Sequence, residues 1–184
     1  MRNAIERTTL AVMLILALTA DGHAESQPRY RADTYIAKPP PMVVMDRPTL
    51  ARDEPAEQPN IPLTPDLAAV LTAACAGEGV PLDIALAVME RESGFDLDAV
   101  GPDGHDIGLF QIRTSNHSWL AEETGADPMS PEGNIVCGVR FLGYLYDYCG
   151  ESWPAALTCW RWGPGHGETS EYANAVLEAA EKWE

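Results

Sequence analysis

Hydrophobic residues after position 63 recur at helical spacing, and turn-forming residues divide them into consecutive segments. Serine or threonine stands before several segments, as expected of helix N-caps, and glycine follows several others. The pattern predicts five helices, which run from Thr64 to Gly77, Leu82 to about Ser93, Ser130 to Tyr148, Ser152 through Trp160, and Thr169 or Ser170 through Lys182. No segment shows convincing strand alternation, and 95–112 is predicted to be a loop or a short irregular hairpin. We therefore predict a mainly α-helical domain over 64–184.

The first 63 residues lack this pattern. Arg2 and Arg7 precede an apolar run of nine residues, and small residues follow at the two positions that a signal peptidase reads, Gly22 and Ala24, so we predict a signal peptide over 1–24. Residues 25–63 hold eight of the fifteen prolines and are predicted to be a disordered tether. No apolar run approaches the roughly 18 residues that span a bilayer, so we expect a periplasmic or secreted protein without a membrane span after signal removal.

Charge narrows the classes of partner. The chain has 28 acidic and 12 basic residues, a net charge of −16, and 46% of it is hydrophobic, which is typical of a folded protein. Residues 66–184 alone hold twenty acidic and five basic side chains. This excess of negative charge repels the phosphate backbone of nucleic acids, so we expect no nucleic-acid partner.

All four cysteines, Cys75, Cys137, Cys149 and Cys159, fall in the predicted domain. An even number in an exported chain favours two disulfides, for which three pairings exist. Cys137 and Cys149 stand at opposite ends of one predicted helix, about 18 Å apart, so this pair is the least favoured. No cysteine or histidine spacing is typical of metal ligands, so we expect neither a metal nor a cofactor.

A carboxylate in an apolar position is the most informative single feature. On a helical wheel Glu92 falls within the stripe formed by Ile84, Ala85, Val88 and Met89. The opposite sector holds Asp83, Ala87 and Glu90. Apolar surroundings, the helix C-terminus and the acidic domain all favour the protonated form of Glu92, which is the form a general acid needs. The alternatives are that Arg91 or Arg113 pairs with Glu92, or that its side chain reaches water.

Five short motifs surround this residue in the chain. They are Glu92-Ser93-Gly94-Phe95, Gly108-Leu109-Phe110-Gln111-Ile112, Asn134-Ile135 with Gly138 and Phe141-Leu142, Trp160-Arg161-Trp162-Gly163-Pro164-Gly165, and Tyr172. In this order and spacing, over about Leu82 to Val176, the chain resembles the soluble lytic transglycosylases, glycoside hydrolase family 23 of the lysozyme-like superfamily.

The resemblance implies a lysozyme-like transglycosylase domain over 64–184, with a small loop or hairpin region beside its cleft. It also implies cleavage of the β-1,4 bond between N-acetylmuramic acid and N-acetylglucosamine in peptidoglycan glycan strands, which leaves 1,6-anhydro ends. Glu92 matches the family's one catalytic glutamate. The resemblance also implies that the substrate's own acetamido group supports the positive charge that develops at C1. A reaction assisted by the substrate in this way needs no second carboxylate.

Further site residues follow from the same motifs. The resemblance implies that Ser93 and Gln111 bind substrate, that Phe110 replaces the family's usual methionine as an apolar groove wall, and that Tyr172 lies near Glu92. Gln111 would otherwise be an amide bonded to the backbone, and Tyr172 a buried tyrosine with a satisfied hydroxyl. Asn134 and Gly138 are expected to serve in helix capping and close packing.

The block at 160–165 departs from the family's Tyr-Asn-Ala-Gly-Pro-Gly. Trp160 is expected either to stack on a sugar or to pack in the core. Arg161 is expected to pair with Glu92 or with a carboxylate of the stem peptide.

Two further departures keep alternatives open. The loop at 103–108 and His117 resemble the goose-type lysozymes, which hydrolyse their substrate, and Asp103 or Asp106 is then a candidate second carboxylate that holds the attacking water. Arg113 stands where those enzymes have Asp, which favours the transglycosylase. Gly101-Pro102 replaces a family serine, so a catalytically impaired wall-binding or scaffold module is a third interpretation. The small domain and its tether suggest a role beside a secretion, conjugation or phage assembly.

Overall fold

The computed structural model describes residues 60–184, which form six α-helices and one short hairpin. The elements are α1 (Pro65–Glu78), α2 (Leu82–Ser93), β1 (Asp106–Ile107), β2 (Ile112–Arg113), α3 (Thr114–Thr124), α4 (Pro131–Tyr148), α5 (Trp153–Trp162) and α6 (Glu171–Ala180), which a 3₁₀ turn over Glu181–Trp183 extends. The prediction of a mainly α-helical domain with a small hairpin is confirmed. The signal peptide over 1–24 and most of the tether over 25–63 lie outside the described residues and stay predictions.

Local capping chemistry sets several helix starts as predicted. The hydroxyl oxygens of Thr64, Ser130 and Ser170 each accept a hydrogen bond from the backbone N–H three residues later, at 3.4, 3.1 and 3.2 Å. Ser152 holds the N-cap position of α5 without a side-chain hydrogen bond. Thr64, Ser130 and Ser170 satisfy N–H groups that a helix cannot pair internally, which is why these starts can be read from the sequence.

One helix boundary differs from the prediction, and one helix was not predicted. α1 continues through Gly77 and ends at Gly79, which adopts the left-handed conformation (φ +65°) and donates its N–H to the Cys75 carbonyl. α3 was not predicted, because it begins with residues of modest helix propensity and has no side-chain N-cap bond. It is stabilised by burial of Trp119 and Leu120, and Trp119 packs edge-on against Phe141 of α4 at 5.6 Å. Tertiary packing therefore decides that α3 forms.

Helix α2 is the buried axis of the domain. Every residue from Ile84 to Met89 is buried, including Ala87, which the helical wheel assigned to the polar sector. That assignment was wrong because α2 packs against both α1 and α6, and so presents no broad face to water along its middle turns. Glu90, at the edge of this buried run, forms an ion pair with Lys182.

The hairpin is fastened to α4 by one side chain. β1 and β2 pair antiparallel, with Ile107 opposite Ile112. Asn134 accepts a hydrogen bond from the Phe110 N–H at 2.9 Å through Oδ1, and its Nδ2 donates to the Ile107 and Pro128 carbonyls at 2.9 and 3.0 Å. Asn134 was expected to serve in helix capping, but Ser130 caps α4. The backbone of the hairpin is thereby fixed relative to the helix core.

Phe110 does not form a groove wall. Its side chain is fully buried, and it fills a space on α4 that Gly138 leaves by having no side chain. A Cβ at Gly138 would lie 2.3 Å from Cγ of Phe110. The prediction of close packing at Gly138 is confirmed, and the prediction for Phe110 is wrong because the turn directs the ring inward.

All four cysteines are free thiols in the structure, so the prediction of two disulfides is not confirmed. Sγ of Cys149 and Sγ of Cys159 lie 2.8 Å apart, whereas a disulfide bond is about 2.05 Å long. The Cys137 thiol instead lies 3.4 Å from the Thr124 hydroxyl. Burial raises the pKa of the Cys75 thiol to about 12, which makes it a poor nucleophile.

Oxidation of the purified protein is expected to join Cys149 to Cys159 and to leave the other two thiols free. A link that closes a loop of about ten residues should stabilise the fold by about 2–3 kcal/mol. Peptide mapping after alkylation without reduction measures the linkage. The Cys137→Ser variant should keep the linked peptide and the Cys159→Ser variant should lose it. A map dominated by any other pair would contradict this expectation.

Candidate active site

Three helices converge on the carboxyl group of Glu92, which lies in the last turn of α2. Its Oε1 accepts a hydrogen bond from the hydroxyl of Tyr172 on α6 and a second from Nε1 of Trp160 on α5 at 3.2 Å. Neither Arg91 nor Arg113 forms an ion pair with it among the residues that the structure describes. The structure thus brings Tyr172 to Glu92 as the motifs implied, and adds Trp160 as a second donor.

Glu92 lies at the wall of a groove of about 510 Å³, part of which is open to solvent. Its side chain is half-buried, so it is reached from the groove and not from bulk water on all sides. The groove is lined by Glu92, Asp106, Gln111, Ile112, Arg113, Asn116, Phe141, Trp160 and Arg161.

The surroundings of Glu92 favour its protonated form. Burial raises the pKa of this carboxyl, and the negative charge of Asp106 acts in the same direction. The hydrogen bond from Tyr172, the charge of Arg161 and the hydrogen bond from Trp160 act in the opposite direction, and burial prevails. The site therefore holds a carboxylic acid that remains a proton donor at higher pH than an ordinary glutamate.

Tyr172 is built to donate and not to ionise. Its side chain is buried, and burial together with the nearby charge of Glu92 raises the pKa of the phenol well above its usual value. The hydroxyl therefore keeps its proton, and its hydrogen bond fixes one oxygen of the Glu92 carboxyl. A hydroxyl that keeps its own proton stabilises the ionised carboxyl by donating to it, and it does not take up the proton that Glu92 carries.

The two candidate second carboxylates are both held by Arg113. Nη2 of Arg113 donates to Asp103 at 2.8 Å, and Nη1 donates to both carboxylate oxygens of Asp106 at 3.0 and 3.2 Å. Asp106 lines the groove with Glu92, whereas Asp103 is exposed and stands outside the groove lining. The hydrogen bond from Arg113 and that from the backbone of His105 lower the pKa of Asp103, which keeps it ionised.

The side-chain amide of Gln111 is fixed by backbone carbonyls of two other residues, and Gln111 lines the groove. It adopts a left-handed conformation (φ +47°), and its Nε2 donates to the carbonyls of Ala99 and Gly108 at 3.0 and 2.9 Å. The alternative of an amide bonded to the backbone is therefore correct for the nitrogen. These two bonds use the amide nitrogen and leave Oε1 as the acceptor of the side chain.

Ser93 serves the fold and is not presented to the groove. Its hydroxyl lies 3.1 and 2.8 Å from the carbonyl oxygens of Met89 and Leu109, which share its one proton, and it accepts from the N–H of Phe95 at 3.2 Å. These bonds join the end of α2 to the hairpin turn. Its implied role in substrate binding has no support in this geometry.

Trp160 and Arg161 enter the site in different ways. The Trp160 ring packs against Phe141 and Phe110 at 5.2 and 6.1 Å, while its indole N–H reaches Glu92. Arg161 lies over the rings of Trp162 and Tyr172 at 5.4 and 5.8 Å, and forms no ion pair with Glu92. Trp160 is therefore both a core residue and a donor to the carboxyl, and Arg161 is a charge on the groove wall.

Sequence reasoning missed Asn116 and the polar role of Trp160. Asn116 is buried in α3, lines the groove and accepts a hydrogen bond from Nε1 of Trp119 at 3.2 Å. No local pattern indicated Asn116 as a site residue, because the helix that carries it, α3, was not predicted. The indole of Trp160 is 68 positions from Glu92 in the chain, which no local pattern reveals.

Within 60–184, no group of three or more histidine, cysteine or carboxylate side chains is arranged to hold a metal ion. No helix in this part of the chain is long and apolar enough to cross a membrane.

Comparison with solved structures supports the fold. The chain superposes on the 70 kDa soluble lytic transglycosylase Slt70 from Escherichia coli with a TM-score of 0.55 and 20% identity, covering 63% of this chain and 24% of that one. An inactive mutant of the lytic transglycosylase Slt from Pseudomonas aeruginosa gives a TM-score of 0.52 and 19% identity, covering 65% and 21%. This chain thus matches a quarter or less of either structure.

A family model matches the sequence itself. The model described as the transglycosylase SLT domain covers residues 70–181, which include α2, the hairpin, α5 and Tyr172 of α6. This span contains every residue that lines the groove. Because the match covers more than half of the chain, this protein belongs to the transglycosylase SLT domain family.

Proposed function

We propose that this protein is a lytic transglycosylase that cleaves the β-1,4 bond between N-acetylmuramic acid and N-acetylglucosamine in peptidoglycan, with Glu92 as its catalytic acid. The observation that carries the proposal is a carboxyl of raised pKa, fixed by Tyr172 and Trp160, at the wall of a groove. Family membership and the fold support the same activity.

The proposed reaction uses one carboxyl twice. Protonated Glu92 gives its proton to the glycosidic oxygen, the bond from that oxygen to C1 breaks, and the acetamido group of the muramic acid supports the positive charge at C1. The Glu92 carboxylate then takes the proton of the 6-hydroxyl as that oxygen bonds to C1. The product is a 1,6-anhydro ring, Glu92 is protonated again, and no water is consumed.

Hydrolysis would require a base for a water molecule in the groove. Asp106 is the carboxylate besides Glu92 in the groove lining, and both of its oxygens accept from Nη1 of Arg113. Both oxygens are therefore engaged by the guanidinium of Arg113, which leaves them less free to orient a water molecule in the groove. This arrangement favours ring closure over the hydrolysis of the goose-type lysozymes.

We also propose that the activity lies outside the cytoplasm, because peptidoglycan is found there and a signal peptide is predicted over 1–24. We propose export to the periplasm or beyond, and a role beside a secretion, conjugation or phage assembly. Both proposals rest on the sequence.

A mass spectrum of the muropeptides released from purified sacculi tests the proposed chemistry. Anhydro products are lighter by one water than reducing-end products of the same composition, so the expected result is a dominant anhydro series. A dominant reducing-end series would assign a hydrolase and would direct attention to Asp106. Binding to sacculi without release of any muropeptide would favour the impaired wall-binding module and overturn the proposal.

A further inference from the structure

Two of the domain's few cations have no carboxylate partner. Residues 60–184 hold twenty acidic side chains and five basic ones. Three of the five form ion pairs, namely Arg113 with Asp103 and Asp106, Arg140 with Glu78 and Glu123, and Lys182 with Glu90. Arg91 and Arg161 form no ion pair within the part of the chain that the structure describes.

Both unpaired arginines lie against the same ring. The guanidinium carbons of Arg91 and Arg161 are 5.2 and 5.8 Å from the centroid of Tyr172, whose hydroxyl is bonded to Glu92. Arg161 also lines the groove, and Arg91 is exposed. Two arginines without an ion pair in 60–184 therefore lie beside the tyrosine that donates to Glu92, and Arg161 is the one of them that also lines the groove.

Contact with the ring leaves the donors of both arginines available. A cation near an aromatic face is attracted by the ring's quadrupole, and this attraction by itself uses none of the N–H donors of the guanidinium. Each guanidinium has five N–H donors in a planar fork that matches a carboxylate. The excess of acidic side chains repels free anions from the domain. The two arginines therefore favour an anion that belongs to a larger ligand, which other contacts already hold in the groove.

We infer that Arg161, assisted by Arg91, is a subsite for a carboxylate carried by the muramic acid whose C1 is cleaved. This inference rests on the proposed function. The carboxylate has two possible sources with the same chemistry. It is either the free lactyl group of a glycan without peptides, or the first carboxylate of the stem peptide attached to that lactyl group.

Titration calorimetry with the full-length Glu92→Gln protein tests the inference, because this variant is expected to bind without turning the ligand over. The ligands are a peptide-free tetrasaccharide of alternating N-acetylglucosamine and N-acetylmuramic acid, its lactyl methyl ester, and the same tetrasaccharide with the first two stem-peptide residues. Hydrogen bonds to a charged group are strong, so we expect the better of the two carboxylate ligands to bind about 10- to 100-fold more tightly than the neutral ester. The tighter of those two identifies the source.

Variants assign the preference to the arginines. Adding Arg161→Gln should reduce the ratio of acid to ester affinity to nearly one while it leaves the affinity for the ester unchanged. Arg161→Lys, which keeps the charge but loses the fork, should retain part of the ratio. Lys182→Gln removes the same charge from an exposed ion pair with Glu90 and should leave the ratio unchanged. Arg91→Gln should lower the ratio of acid to ester affinity by less than Arg161→Gln does. Because Arg91 is exposed, this change does not require the surrounding side chains to repack.

The outcomes separate the two proposals. Equal affinity for acid and ester before any arginine is changed would overturn the subsite and leave the proposed function intact. An equal loss for all ligands in Arg161→Gln would also overturn it, because the arginine would then only hold Tyr172 in place. Failure of Glu92→Gln to bind any of the glycans would instead count against the proposed function.

Discussion

Replacement of Glu92 by Gln is expected to lower the rate of muropeptide release from sacculi by about 10²- to 10⁴-fold, the range that general acid catalysis contributes. Gln keeps the shape of the side chain and an oxygen that accepts from Tyr172 and Trp160, but it has no proton to give to the glycosidic oxygen. The rate of release, normalised to the amount of sacculus-bound protein, measures the loss of the chemical step.

Glu90→Gln is the matched control, since it makes the same change two residues earlier in the same helix. Glu90 pairs with Lys182 and is not part of the groove lining. Its variant should release muropeptides at the rate of the unchanged protein. Equal rates for Glu92→Gln and Glu90→Gln would remove Glu92 from the mechanism.

The rate of muropeptide release in the same assay is expected to depend on pH in one direction, with activity lost at high pH. Burial raises the pKa of the Glu92 carboxyl, so the acid stays protonated, and the enzyme active, above the pH at which an ordinary glutamate ionises. Activity should fall as the pH rises through this raised value. Activity that already falls at the pH where exposed glutamates ionise would contradict a buried acid.

Stability follows from the same pKa. The folded protein binds the Glu92 proton more tightly than the unfolded chain, so this contribution to stability is complete below the unfolded pKa and is lost as the pH rises through the folded one. Gln cannot ionise. The free energy of unfolding of Glu92→Gln relative to the unchanged protein should therefore improve as the pH rises from acid to neutral.

Replacement of Gly138 by Ala is expected to lower the free energy of unfolding by about 3 kcal/mol, at the upper end of the usual cost of overpacking. The new Cβ would lie 2.3 Å from Cγ and 2.8 Å from Cβ of Phe110. These atoms are close to the backbone, so the ring cannot avoid the clash by a simple rotation. Urea unfolding followed by circular dichroism measures the change.

Gly143→Ala is the control for this prediction, because it makes the same change in the same helix. A Cβ at Gly143 would meet Glu78 at 3.5 Å, an ordinary contact. Alanine is the better helix former, so this variant should gain about 0.5–1 kcal/mol. A destabilisation of similar size in both variants would indicate a general intolerance of α4 and not the contact with Phe110.

The parts of the fold that could be predicted depend on short stretches of chain. Thr64, Ser130 and Ser170 begin helices because each side chain satisfies an N–H three residues away. α3 was missed because its stability comes from packing of Trp119 against α4, a contact that its own sequence does not express. Phe110 was misplaced because an apolar residue suits a groove wall and a core equally, and the space that Gly138 of α4 leaves for its ring decides between them.

The same division holds for the site. The apolar stripe that contains Glu92 and the run of motifs around it are properties of the sequence, and they indicated a buried acid and its family before any coordinates. The donors that fix this acid stand 68 and 80 positions further along the chain. The binding of Asp103 and Asp106 by Arg113 and the lack of a carboxylate partner for Arg161 are also matters of tertiary structure. A charge responds to everything within a few ångströms in space, and only the folded chain determines which groups those are.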